Sequence, residues 1–188
     1  MSTLVEDLVS QGVCTPEVVE AVSRQLAAQG SGRLTDSLAL MGWAEEKSVL
    51  RVLAGRSGTK FVTVEKLRAA KVEQGVLDRV PVQFAEAQSA LPLKVDAATR
   101  TLIVAVADPS NQTLLSDIKL VSGAANVVAL VALERGIQAA VRRFYYGDIT
   151  AFESLAKELV PPRTFARVKD TKEASLSKVF TRPPPDKT

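Results

Sequence analysis

The stretch Leu91-Pro-Leu-Lys-Val-Asp-Ala-Ala-Thr-Arg-Thr-Leu-Ile-Val-Ala-Val-Ala-Asp-Pro-Ser-Asn111 decides how this chain is read. Two apolar runs flank a short polar link, and Asp108-Pro109 closes the second run. That pattern is a β-hairpin signal. Leu102, Ile103, Val104 and Val106 suit the core of a sheet, because branched side chains pack well on a pleated surface. Downstream, Leu114, Ile118 and Val121 recur at helical spacing, so Ser110 to Val121 is predicted to be a helix stopped by Gly123. Asn126 to Leu133 reads as a strong strand. Glu134 to Tyr146 reads as an amphipathic helix, with Ile137, Val141 and Tyr145 on one face and Gly147 as its stop. Upstream, Phe61 to Val64 is a short strand candidate. Val72 to Ala90 holds one or two short helices, the second starting at Pro81.

The first third is helical and repeats. Leu8-Val-Ser-Gln-Gly12-Val13 recurs thirty residues later as Leu38-Ala-Leu-Met-Gly42-Trp43. Each copy starts with a short helix ending at a Gly and continues into a second helix. Thr15 is the expected N-cap and Pro16 the expected first residue of one second helix. Glu45-Glu46 suit the N-terminus of the other, where Val49, Leu50 and Leu53 line one face. One copy alone could not bury its apolar face, so the two are expected to pack together.

The predicted fold class is therefore α+β. A helical repeat unit of two helix-turn-helix copies (residues 1–58) packs on a small, mainly antiparallel α/β unit (59–148). A basic tail (149–188) follows. From Pro161 onward the tail loses all periodicity and gains Pro, Ser, Thr and Lys, so it is expected to be disordered.

Composition narrows the function. The chain has 188 residues, 46% hydrophobic and 24% charged, with one cysteine and no histidine. A body of this size buries about 70% of its unfolded surface and needs no metal or disulfide staple. Cys14 cannot form an internal disulfide, which fits a reducing compartment. No apolar stretch reaches the length of a membrane span, and no leader pattern opens the chain. A cytoplasmic protein is expected. The lack of His removes the commonest general base, the usual triads and the usual metal sites. The net charge of +3 lies in residues 151–188, where eight basic residues face five acidic ones, so residues 1–150 balance to zero. That neutral body argues against a nucleic-acid partner, although paired short helices can mimic a DNA-binding helix-turn-helix.

The order of elements resembles a known family. The residues that carry the resemblance are Val80-Pro81, Leu91-Pro92-Leu93, Leu102-Ile-Val-Ala-Val-Ala-Asp-Pro109, Gly123, Ile137 and Arg142-Arg-Phe-Tyr-Tyr146. Over roughly residues 1–148 the chain resembles the N-terminal domain of the bacterial assembly ATPases of type II secretion and type IV pili, also called the MshE N-terminal domain. In that family the domain precedes a hexameric ATPase. No Gly-x-x-x-x-Gly-Lys-Ser/Thr loop occurs here. Gly55-Arg-Ser-Gly-Thr-Lys60 lacks the spacing that cradles a phosphate. A non-enzyme is expected, with no cofactor. What the resemblance implies instead is docking on a protein partner of the machinery, such as an inner-membrane platform protein, or sensing of cyclic di-GMP.

Family members that bind cyclic di-GMP carry two repeats beginning Arg-Leu-Gly, with apolar pairs, a Gly and a terminal Gln. An Arg can meet a phosphate or bond a guanine edge, and Gly admits close backbone approach. Here the second repeat begins Arg33-Leu34-Thr35, and its Gln position holds Arg56. The first begins Thr3-Leu4-Val5, and Gln25 falls about one residue early. Leu8, Gly12, Leu38 and Gly42 fit the framework. On the resemblance, Leu4, Leu8, Gly12, Gln25, Arg33, Leu34, Leu38, Gly42 and Arg56 form the candidate ligand set. The plainer alternative is that the Leu and Gly residues serve packing and turns only.

Other candidates carry less. Met41 and Trp43 are either core fillers or interface anchors, with the core reading preferred. Asp108 is expected to cap the following helix rather than act chemically. Cys14 reads as a small buried residue. Phe165 and Phe180 each sit among basic residues of the tail, where they could dock on an acidic groove or a membrane surface; a solvated linker is preferred.

Overall fold

The computed structural model describes residues 3–30 and 32–158. The tail beyond them, with Phe165, Phe180 and its expected disorder, lies outside the described residues. The helical repeat forms as the sequence predicts. α1 (Leu4–Ser10) and α2 (Pro16–Gln29) make one copy, and α3 (Leu34–Leu40) and α4 (Glu46–Ser57) the other. Thr15 caps α2 by accepting from the Val18 N–H at 3.5 Å, and Pro16 opens the helix. Gly12 and Gly42 sit at φ +66° and +75° in equivalent turns, a left-handed conformation that side chains with a Cβ resist. Leu8 and Leu38 occupy equivalent, fully buried positions. With Val19, Val22, Met41, Trp43, Val49 and Val52 they form one apolar cluster, so neither copy buries its face alone. Met41 and Trp43 thus belong to the helical core. The preferred core reading agrees with this burial, and neither side chain is exposed as an interface anchor.

The sheet has four strands in the order β1-β4-β3-β2: β1 (Lys60–Phe61), β2 (Ala90–Asp96), β3 (Thr101–Val106) and β4 (Asn126–Val131). β2 and β3 make the predicted antiparallel hairpin, with Leu91 opposite Ala105 and a register shift between Pro92 and Lys94. Arg100 turns the hairpin at φ +50°. The α+β class holds, but the pairing sense differs from the expected one. β4 runs parallel to both β3 and β1, so the sheet is mixed. The reason is topological. α8 (Gln112–Ser122) carries the chain back across the sheet after β3, and a helical crossover returns the next strand parallel. β1 is also shorter than Phe61–Val64. Thr63 accepts from the Lys66 N–H at 3.3 Å and caps α5 (Val64–Ala69), a helix the sequence reading missed. The expected Val72–Ala90 helices are α6 (Gln74–Leu77) and α7 (Val82–Ala87), with Pro81 as the cap rather than the first turn.

Asp108 does not cap α8. Its carboxylate accepts from Ser110 N–H at 3.0 Å inside the turn, and Asn111 caps the helix by accepting from Leu114 N–H at 3.0 Å. Leu114 and Ile118 of α8 join Leu102, Val104 and Val106 of β3 in the second core, with Ile137, Ala140 and Val141 of α9 (Glu134–Tyr146). The α10 helix (Ala151–Glu158) packs on α9, and its Ala151, Phe152 and Leu155 are buried in the same core. The α/β core therefore runs past Asp148, where the sequence reading begins the tail.

α9 is fixed along its length. At its C-terminal end the Tyr145 hydroxyl lies 3.2 Å from the Leu77 carbonyl and 2.8 Å from that of Val80, and burial pushes its pKa up to about 12. Near its start, Gly136 lets α5 approach: a Cβ there would come within 2.7 Å of Val64 Cγ2. Helix propensity favours Gly136→Ala by up to about 1 kcal/mol. Val64 is β-branched and stiff, so overpacking costs roughly 1–3 kcal/mol and wins. We expect Gly136→Ala to be destabilised by about 1 kcal/mol in urea unfolding. A gain in stability would show that α5 yields freely.

Candidate functional site at the junction of the two units

The repeat meets the α/β unit at the start of α9. Arg33, just before α3, extends its half-exposed guanidinium to Glu134, the first residue of α9, with Nε to Oε2 at 2.5 Å. Glu134 is held from a second side by the Ser89 hydroxyl, which donates to Oε1 at 3.3 Å. Ser89 is buried and sits at φ +46°, an uncommon backbone state for a residue with a side chain.

One turn into α3, Asp36 is only 4% exposed. Its Oδ1 accepts from the backbone N–H of Arg135 at 3.1 Å, so a carboxylate of the repeat binds a backbone N–H in the first turn of α9. Burial pushes the Asp36 carboxyl from 3.8 up to about 6. The Arg135 N–H opposes the rise, Glu134 adds to it, and the charges of Arg33 and Arg135 reduce it. The arrangement is repeated at α5. Glu46 Oε1 accepts from the Val64 N–H at 2.6 Å, and burial raises its pKa as well. Glu46 lies in the first turn of its own helix, as the sequence suggests, and also serves α5 of the other unit.

The candidate ligand residues divide. Leu8 and Leu38 are buried, and Leu4 and Leu34 are half-buried against the same core, so these four are packing residues. Gly12 and Gly42 make turns. Gln25 is half-buried on α2. Thr3 stands where the first repeat would carry Arg, and it makes a reciprocal capping box with Glu6 on α1. Arg56 pairs with Asp7 of α1. Arg33 and Arg56 therefore take partners on different elements. Among the polar candidates, Arg33 is the one aimed at the junction. Neither Asp36 nor Glu134 was singled out from the sequence. A signal for Asp36 existed, since a charged residue three positions after Arg33 breaks the apolar face of α3. Cys14 is buried, which raises its thiol pKa. No group of three His, Cys, Asp or Glu among the described residues could hold a metal, and no described helix is long and apolar enough to cross a membrane.

Residues 58–151, half of the chain, match the MshEN domain family. The chain belongs to that family. It is also 29% identical over 140 residues to the type IV pilus assembly ATPase PilB of Myxococcus xanthus, covering 74% of this chain and 24% of that protein. The chain thus spans about a quarter of its curated relative. In fold it is similar to a structure titled MshE with cdg, at 21% identity and TM-score 0.55, covering 77% of this chain and all of the other. It is similar as well to the N-terminal domain of XpsE, at 19% identity and TM-score 0.51, covering 76% and 98%. The family match and the pilus assembly ATPase relative agree with the resemblance read from the sequence.

The Asp36 shift has a sign that can be measured. A carboxyl with a folded pKa near 6 and an unfolded value near 3.8 keeps its proton longer in the fold. Its contribution is present below pH ~4 and is lost as pH rises through 6, about 3 kcal/mol at most. Asn at this position still accepts from Arg135 N–H and carries no charge. We expect Asp36→Asn to remove most of the stability loss between pH 5 and 7.5 in urea unfolding. A pH slope equal to that of the wild type would contradict the assignment.

Proposed function

We propose that this chain is a non-catalytic module of the MshEN type, acting by docking on a protein of pilus or secretion machinery. The observation that carries the reading is a set of exposed apolar side chains close together in the sequence. Among the described residues five large apolar side chains are exposed, and three of them, Leu120, Val121 and Val128, fall at the end of α8 and in the following strand. Leu120 is 81% and Val128 46% exposed. Contiguous exposed apolar side chains mark interaction sites, and these three are the ones this reading assigns to such a surface. The test is capture of pilus or secretion components on the immobilised protein, comparing the full chain, a chain ending at Glu158 and the Leu120→Asp, Val128→Asp double variant. We expect the first two to retain the same component and the double variant to lose it. Equal retention by the double variant, or none by the full chain, would refute the docking reading.

A second reading has its own support. Arg33 stands at the Arg position of the second repeat and Leu38 and Gly42 keep its framework, while Thr35 and Arg56 replace its Gly and Gln; the similar fold of MshE has been determined with cyclic di-GMP. The reading is a receptor with its polar chemistry reduced to the second repeat. Titration calorimetry with cyclic di-GMP should give saturable heat that Arg33→Ala abolishes. Absence of heat at high micromolar ligand with folded protein would exclude it.

A further inference from the structure

We infer that Glu134 is an internal competitor for the ligand-facing guanidinium of Arg33, so that ligand entry is exchanged against the contact between the helical repeat and α9. The inference rests on the cyclic di-GMP reading and adds a means of regulation to it. The Glu134 carboxylate takes the place at Arg33 that a phosphodiester or a guanine edge would take, since all three accept hydrogen bonds from a guanidinium. It is a built acceptor, because Ser89 fixes its other oxygen from the turn before β2 and Gln138 approaches that same hydroxyl at 3.5 Å. Arg33 is 48% exposed on its side chain, so it can be reached from solvent while still paired.

A ligand that takes Arg33 leaves Glu134 with its Ser89 hydrogen bond but without the ion pair, and draws a positive charge away from Asp36. Asp36 then has less support for its charge at the start of α9. Ligand occupancy at the repeat is thereby coupled to how firmly the repeat holds α9, and through α9 to α5, α7 and α10, which pack on it. Two distinct places share one arginine, and the coupling is reciprocal, because whatever weakens the ion pair must favour the ligand.

The test compares the wild-type full chain, Glu134→Gln and Arg33→Ala by calorimetric titration with cyclic di-GMP. Gln can still accept from Ser89 but loses the ionic hold on Arg33. Partly exposed ion pairs are worth up to about 1 kcal/mol, so Glu134→Gln should bind about fivefold tighter. Arg33→Ala should not bind. A parallel measurement needs no ligand: arginine-selective modification by phenylglyoxal, read at Arg33 by peptide mass spectrometry, should be faster in Glu134→Gln than in wild type. Binding by wild type with equal or weaker binding by Glu134→Gln would overturn the competition and leave the receptor reading standing. Heat from neither protein would overturn both. Equal modification rates at Arg33 would overturn the competition on their own.

Discussion

The start of α9 is the constraint on which the two units depend. The first turn of any helix offers backbone N–H groups with no partner inside the helix, and burying them unmet is costly. Here the partner comes from the other unit: Asp36 of α3 accepts from Arg135 N–H. Glu46 of α4 does the same for Val64 at the start of α5. The repeat is therefore fixed to the α/β unit by two directional, charge-assisted bonds as well as by apolar contact. Directional bonds fix orientation in a way that area burial does not. Gly136 lets α5 close on α9 within the same turn, so both capped helices meet beside the junction.

That geometry explains why the candidate ligand residues behave so differently. The Leu and Gly positions of both repeats are required by the helical core whatever binds outside it. The polar positions had freedom, and in this chain they have taken internal partners: Thr3 caps α1, Arg56 pairs with Asp7, and Arg33 pairs with Glu134. The Thr3 cap and the Arg56–Asp7 pair lie within the repeat. The Arg33 pair spans the units, and this gives it a consequence beyond local stability.

Much of the fold was legible in the sequence because it rests on local periodicity. The hairpin follows from its two apolar runs, and α8 and α9 from apolar spacing and a terminal Gly; α9 occupies the span the pattern gives. The parallel sense of β4 was not legible, since it depends on where α8 crosses the sheet. α5 was hidden by its shortness and by the apolar run Phe61–Val64, which reads as strand until Thr63 is seen to cap a helix. The junction was hidden for a different reason. Asp36 and Arg135 are 99 positions apart, and no spacing rule connects a charge on α3 to an N–H on α9. Trp43 shows the converse: its apolar bulk at the second repeat's turn favours the core, and the structure buries it there.

Two locally unfavourable features converge on one ion pair. Asp36 is a buried carboxylate whose charge costs stability at neutral pH, and Ser89 holds a left-handed backbone that glycine would adopt more easily. Neither is what packing alone would select, since Asn could replace Asp36 and Gly could replace Ser89 with less strain. What the two share is Glu134: Asp36 lies within its electrostatic reach, and Ser89 donates to it directly. Departures from local preference tend to gather where function constrains a fold. Their meeting at the residue that holds Arg33 supports the junction, rather than the central hairpin, as the place where this domain responds to what it binds.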